Sequence, residues 1–337
     1  MIFLRNDYSL GAHPRILKAL SDTNMVHTEG YGLDPFCMEA AELLKSQINA
    51  PDADIHFLVG GTQTNLTAIA AFLRPHQGVI APVTAHINVH ETGAIEATGH
   101  KVFHMPSPDG KLLPQQVEEA VRLHTDEHMV QPKMVYISNA TETGTIYTKA
   151  ELLALREVCD RNKLYLYVDG ARLGCALTAP GNDLTLPDMA QLTDAFYIGG
   201  TKNGAMFGEA LAIIKDELKE DFRFHIKQRG GMLAKGRLLG IQFSELFKDG
   251  LYFELARHAN EMAQFLKNGI AGGGYDFWGN SITNQIFPIV PHMLADHLHQ
   301  HVSFEDWAVP DDRTLVIRLV TSWWTTEDEV MSFLKQL

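Results

Sequence analysis

The chain has 337 residues, 45% of them apolar, enough to bury a large core and to favour one large domain with a smaller companion. Its 28 basic and 41 acidic residues leave a formal charge of −13, which argues against nucleic acid or an anionic membrane as the main partner and means that any anion must be captured locally. No stretch approaches the ~20 apolar residues needed to span a bilayer, the start lacks a leader-like apolar core, and Cys37, Cys159 and Cys175 are odd in number without CxxC spacing; the expectation is a cytoplasmic protein with reduced thiols, without a disulfide framework or a zinc site.

In chain order, residues 55–59, 78–81, 101–104, 134–138, 164–168, 195–198 and 210–214 read as short β-rich strands. Between them, 65–73, 114–123 and 149–161 read as helices, the last opening at Thr148 with Glu151 three positions on, a capping-box arrangement. This alternation is the grammar of an α/β unit, a mostly parallel sheet of seven strands covered on both faces, over residues 1–240. Beyond about 240 the pattern changes to helices near 241–247 and 252–268, strands near 284–290 and 314–320, and a final helix from Thr326, which reads as a smaller α+β domain over 241–337. No repeat, low-complexity tract or linker interrupts the chain.

The chemistry concentrates at the carboxyl ends of the apparent strands. Lys202 sits in Tyr197-Ile198-Gly199-Gly200-Thr201-Lys202-Asn203-Gly204, where an apolar strand enters a small-residue turn, thirty-three residues after Asp169-Gly170-Ala171-Arg172. A lysine that can hold an aldehyde as a Schiff base and a carboxylate that can keep a pyridine nitrogen protonated together suggest a pyridoxal phosphate enzyme. An Asp at the end of a buried strand is costly without a cationic partner, and a protonated ring nitrogen would be one. Gly60-Gly61-Thr62-Gln63-Thr64-Asn65 follows a strand and opens a helix, so its backbone N–H groups could cradle a phosphate, although a plain capped turn reads equally well; it fits neither the Walker lysine pattern nor the GxGxxG fingerprint. His86, just past the strand that ends near Ala81, is a candidate to stack on a cofactor ring.

Arg172 is a candidate for a substrate carboxylate or a cofactor oxygen, with a plain ion pair to Asp169 as the structural alternative. Arg318, after the apolar run 315–317, is a candidate substrate clamp, with an edge-strand arginine as its alternative. His297 and His301 stand at i and i+4 with His292 and His299 nearby, but without a carboxylate or cysteine set beyond Asp296; a solvent-facing amphipathic helix explains them, and no metal is expected.

With these motifs in place the chain resembles the threonine aldolase and β-eliminating lyase family of fold-type-I pyridoxal phosphate enzymes, with the aspartate aminotransferase type of fold. The resemblance runs through Arg5-Asn6-Asp7, Tyr31-Gly32-Leu33-Asp34-Pro35, Gly61-Thr62 with Asn65, His86 with Glu91 and Gly93-Ala94, Asp169-Gly170-Ala171-Arg172, Thr201-Lys202, and Arg318 with Val320-Thr321. Thr201-Lys202-Asn203-Gly204 and Thr141-Glu142-Thr143-Gly144-Thr145 are most similar to the bacterial low-specificity L-threonine aldolase branch. The resemblance implies that Lys202 holds the cofactor, Asp169 binds its ring nitrogen and His86 stacks on the ring. It implies that Gly61, Thr62 and Thr201 contact the phosphate, with Arg172 at the cofactor or substrate, and that Arg172, Arg318, Asn6 and Thr141 meet the substrate. The implied reaction is aldol cleavage of L-threonine or L-allo-threonine to glycine and an aldehyde by a homotetramer or dimer with shared active sites. β-Elimination or transamination on the same scaffold is the main alternative, and a non-catalytic cofactor-binding protein a more distant one. Two positions depart from the family: Asn6 stands where serine is usual, and Asn139-Ala140-Thr141 stands where many relatives carry Asn-Thr-His. A threonine there is no base near neutral pH, so the hydroxyl proton would fall to His86 or an ordered water.

Overall fold

A computed structural model describes residues 1–337. After a short β1 (Ile2–Phe3), the strands β2 (Asp54–Leu58), β3 (Gln77–Pro82), β4 (Val102–Met105), β5 (Gln131–Ser138), β6 (Tyr165–Asp169), β7 (Ala195–Gly199) and β8 (Glu209–Ile213) follow. The last seven form one sheet in the order β2-β8-β7-β6-β5-β3-β4. Only β8 runs against the rest, antiparallel to both β7 and β2, while β3 to β7 are parallel. The expected seven-stranded, mostly parallel sheet is therefore what the chain forms.

Its inner strands are buried along nearly their whole length because both faces are covered. The period of two divides them cleanly. Val135, Ile137, Leu166, Val168, Phe196 and Ile198 enter the larger core. Met134, Tyr136, Tyr167, Ala195 and Tyr197 enter the other. On the first face lie α1 (Pro14–Asp22) and α2 (Pro35–Gln47), contributing Ile16, Ala40 and Leu44. The second face is covered by α3 (Gly61–Phe72), through Ala68, Ile69 and Phe72, and by the one-turn α4 (His86–Val89), through Ile87. Further along, α5 (Pro114–Leu123), α6 (Lys149–Asn162), α7 (Leu173–Thr178) and α8 (Leu186–Leu192) complete the crossovers. The capping box at α6 forms as expected: Thr148 N–H donates to Glu151 Oε2 at 2.8 Å and Glu151 N–H to Thr148 Oγ1 at 3.3 Å.

After α9 (Phe222–Gln228) and α10 (Arg237–Phe247), the 22-residue α11 (Leu251–Gly272) leads into a second, four-stranded sheet. This holds β9 (Gln285–Ile286), β10 (Ile289–Pro291), β12 (Glu305–Asp311) and β13 (Thr314–Val320), with all the pairings to β13 antiparallel. Between β10 and β12 come α12 (His292–Leu298) and β11 (Val302–Ser303), and α13 (Glu327–Leu334) closes the chain from its Thr326 cap. β1 pairs with β11, and Leu4 joins the apolar cluster of the C-terminal elements, so the chain's first residues lie among its last.

Three expectations change in detail. The strand read at 284–290 is two short ones, because Pro288 interrupts the ladder and instead bridges Phe277. β12 was not foreseen: it carries Glu305, Asp306, Pro310 and Asp311 and two register shifts, the composition of a protected edge strand. The possible helix through His297 and His301 ends at Leu298, and His299 instead stacks on Phe304 at 4.0 Å.

The turn after β6 lies so close to β7 that a Cβ on Gly170 would stand 1.8 Å from the Tyr197 carbonyl oxygen, whereas one on Gly11 would meet nothing within 4 Å. Gly170→Ala is expected to cost roughly 2 kcal/mol or more while Gly11→Ala is close to neutral. Thermal unfolding of the two variants side by side checks this, and equal midpoints would show that the approach is not rigid.

Candidate functional site

β5, β6 and β7 end together at Ser138, Asp169 and Gly199, and the crevice beyond them is where parallel sheets place their ligands. Asp169 is 4% exposed. Its Oδ2 accepts from the Tyr136 hydroxyl at 2.6 Å and Asn65 Nδ2 at 3.0 Å. Its Oδ1 accepts from the Tyr197 hydroxyl at 2.5 Å and the Ala171 N–H at 3.0 Å. Burial by itself would raise the carboxyl's pKa, but nearby His86 and these hydrogen bonds hold it below the usual carboxylate range. No cationic side chain bonds to it.

Asn65 also donates to Glu91 at 2.8 Å and accepts from the Tyr167 hydroxyl at 3.1 Å. Glu91 in turn meets His86 Nδ1 at 2.8 Å, so the imidazole is oriented by a buried carboxylate. Lys202, in the turn after β7, has no hydrogen-bond partner in the chain. Burial and then the Arg172 charge lower its pKa, against the pull of Asp7, Asp169 and Glu209.

Two adjoining cavities share Tyr8, His86, Glu142, Arg172 and Lys202. One, of about 260 Å³, reaches Gly60, Gly61, Thr62, Thr201 and Asp169. Gly60 gives α3 no side-chain cap, so the first-turn N–H groups are left for an anion. The other cavity, of about 290 Å³, reaches His90, Gln285, Glu305 and Arg318. Both amide atoms of buried Gln285, and Nε of Arg318, have no partner, as expected of groups that face a ligand.

The sequence candidates Lys202, His86, Asp169, Gly61, Thr62, Thr201 and Arg172 thus come together in one cavity, with Arg318 in the next. Asn6 does not join them. Its Oδ1 accepts from Tyr8 N–H at 3.1 Å and Ser9 Oγ at 2.7 Å, and it lines a separate cleft with Trp324 and Glu329. Thr141 is also outside: it is 1% exposed, with its hydroxyl engaged by Thr145 Oγ1 at 2.7 Å and Thr143 Oγ1 at 3.1 Å. Arg172 pairs not with Asp169 but with Asp7, Nε to Oδ2 at 2.7 Å and Nη2 to Oδ1 at 3.0 Å, and Asn284 Nδ2 adds a third donor at 2.9 Å. Arg318 meets Glu305 and lies over Trp307 at 5.3 Å.

Several groups escaped the sequence reading. Glu209 accepts from Thr201 Oγ1 at 2.9 Å and Gly200 N–H at 3.1 Å, and burial pushes its carboxyl up to about 8. Glu142 accepts from Ser138 Oγ at 2.8 Å and His86 N–H at 3.0 Å, and burial raises it too. Asp7, Tyr8, His90 and Glu305 arrive from other parts of the fold. The repeated placement of a tyrosine at the matching face position of β5, β6 and β7 was the one visible signal for the Asp169 cage.

Residues 4–290 match the family model described as beta-eliminating lyase. A low specificity L-threonine aldolase of a Pseudomonas strain is 33% identical over 80% of this chain and 78% of its own length. That of Escherichia coli K12 is 29% identical over 71% and 70%. A solved threonine aldolase of Leishmania major is 50% identical, with a TM-score of 0.98 over 99% of this chain and 98% of its own. An aspartate aminotransferase of Thermus thermophilus, 16% identical, reaches a TM-score of 0.75 over 100% and 90%, and shares the fold.

The Arg172–Asp7 pair is buried, so removing one partner strands a charge. Asp7→Ala is expected to lower the unfolding free energy by about 3–5 kcal/mol, with part of the loss recovered in Asp7→Ala/Arg172→Met. The depressed carboxyl of Asp7 stabilises the fold above its unfolded value of 3.8 and ceases to do so as pH falls through its lower folded value. Denaturant titrations of both variants at neutral pH and in acid measure this directly.

Proposed function

The chain belongs to the beta-eliminating lyase family, and we propose that it is a pyridoxal 5′-phosphate lyase that cleaves L-threonine, L-allo-threonine and similar β-hydroxy-α-amino acids to glycine and an aldehyde. The observation that carries this reading is a buried Asp169 anion and an unpartnered Lys202 amine facing one cavity. The residues fit the cofactor on three counts. Asp169 has four hydrogen bonds but no cation, which a protonated pyridine nitrogen would complete. A lysine amine with a lowered pKa is a nucleophile for an aldehyde. A Cβ on Gly61 would come 3.0 Å from the Tyr197 hydroxyl, so glycine suits the cradle at the start of α3, where Gly61 and Thr62, together with Thr201, would hold a phosphate.

Bound there, the cofactor supplies a conjugated electron sink for the pair released when the Cα–Cβ bond breaks. Asp169 would keep a proton on the cofactor's ring nitrogen, and Tyr136, Tyr197 and Asn65, the last held by Tyr167, keep Asp169 ionised and still. His86, turned by Glu91, would offer a flat face to the cofactor. Arg318 and Gln285, with free donors in the adjoining cavity, hold the substrate carboxylate, with Arg172 beside them braced by Asp7. Holding that carboxylate would orient the substrate's Cα and so select which of its bonds breaks.

We also infer a homo-oligomer, dimer or tetramer, with shared sites. Phe3, Leu10, Leu17, Met25, Leu33 and Met38 are all exposed within the first 38 residues, which supports an apolar contact with a second copy. Three free, buried cysteines support a cytoplasmic setting. No helix is long and apolar enough to cross a membrane.

Incubation of the loaded protein with L-threonine and L-allo-threonine is expected to give acetaldehyde and glycine in equal amounts. Ammonia with 2-oxobutanoate would assign β-elimination instead. Asp169→Ala is expected to lower kcat on the order of 100-fold with a smaller change in KM. Full turnover in that variant would remove Asp169 from the mechanism.

A further inference from the structure

Aldol cleavage requires a group to take the proton of the substrate's β-hydroxyl as the Cα–Cβ bond opens. Thr141 has no access to either cavity, and the Nδ1 side of His86 is held by Glu91. The chain carries another imidazole in the right place. His90 closes α4 one turn beyond His86, its N–H donating to the His86 carbonyl at 2.9 Å, and the two ring centroids are 5.4 Å apart. Residues spaced by four share a helix face, so both rings turn toward the cavities. They differ in their surroundings: His86 lines both cavities but is held by Glu91, whereas His90 lines only the cavity of Arg318, Gln285 and Lys202 and its ring has no hydrogen-bond partner.

We propose that His90 is the catalytic base that accepts the β-hydroxyl proton, an assignment that rests on the aldol-cleavage reading above. A substrate whose amino group had displaced Lys202 from the cofactor, with its carboxylate at Arg318, would span the cavity that His90 lines. The imidazole takes the hydroxyl proton, the O–H pair becomes the carbonyl π bond of the aldehyde, and the Cα–Cβ pair would pass to the conjugated cofactor joined to the substrate's nitrogen. A proton returning to Cα completes glycine, so the reaction needs no oxidant or reductant.

The surrounding charges favour this role. Burial, then the charges of His86, Arg318 and Lys202, lower the pKa of His90, while Glu305 opposes them. The neutral imidazole, the form that can accept a proton, is therefore the resting one at neutral pH. The remaining groups that face this cavity are otherwise engaged or of another kind: Arg172 is paired with Asp7, Glu142 accepts from Ser138 and the His86 N–H, and Tyr8 presents a phenol.

The test uses His90→Gln in the cofactor-loaded protein and two reactions that share substrate attachment and reprotonation at Cα, of which only one breaks Cα–Cβ and deprotonates a hydroxyl. Aldehyde release from L-threonine and L-allo-threonine is expected to fall about 100-fold in kcat with KM changed by less than about threefold. Exchange of the α-proton of glycine in D₂O, followed by NMR, has no hydroxyl to deprotonate and is expected to keep the wild-type rate. The wild-type kcat profile is expected to drop on the acid side, below the ordinary histidine range, and the variant to lack that limb. Cleavage within about threefold of wild type, or exchange lost in parallel with cleavage, overturns the assignment. A wild-type protein that exchanges glycine but releases no aldehyde overturns the aldol reading, and the assignment of His90 with it.

Discussion

A carboxylate shut away from water must be solvated by the protein, and the fold depends on how that is done for Asp169. Tyr136, Tyr167 and Tyr197, from three adjacent parallel strands, lie on the same face. The hydroxyls of Tyr136 and Tyr197 grip the two oxygens directly, while Tyr167 acts through Asn65. This works only in the order β5-β6-β7 and only in the observed register, in which Tyr136 lies beside Tyr167 and Ser138 beside Asp169. A slip of one residue would send the hydroxyls into the apolar core on the opposite face. The charge at the end of β6 thus fixes the alignment of the central sheet as much as it serves any ligand.

A second buried charge ties the periphery to that centre. Asp7 receives both arms of Arg172 from the large sheet's side and Asn284 from the C-terminal elements. Asn284 also donates to the Thr321 carbonyl, and Leu4 accepts from Val320 N–H. The N-terminal segment therefore works as a strap. It presents Tyr8 to the cavity because Asp7 is anchored on both sides, and the Asn6 turn directs that side chain elsewhere.

The sheet, its two covered faces and most helix positions were legible because apolar runs bounded by turn residues are local signals. Lys202, Asp169, Gly61 and Thr62 were legible because each sits in a motif whose neighbours imply its position at a strand end. Asp7, Glu91, Glu142, Glu209 and Glu305 were not. A buried carboxylate looks like any surface acid until partners such as Asn65 for Glu91 and Arg172 for Asp7, 26 and 165 residues away, are placed. Asn6 and Thr141 failed for the opposite reason. Short polar side chains readily bond to their own turn, and that local alternative won in both. β12 was hidden by its charges and its proline, features that guard an edge and disguise a strand.

The pairing of β1 with β11 has a consequence for how the protein is made. Ile2 leaves the ribosome about 300 residues ahead of its ladder partner Val302. At about 5–20 residues per second the N-terminal strand spends roughly 15–60 s without its neighbour. Throughout that interval Leu4 stays unsheltered and Asp7 lacks Asn284, while the strands from 54 to 213 can already assemble. The strap then closes over a sheet that is already built.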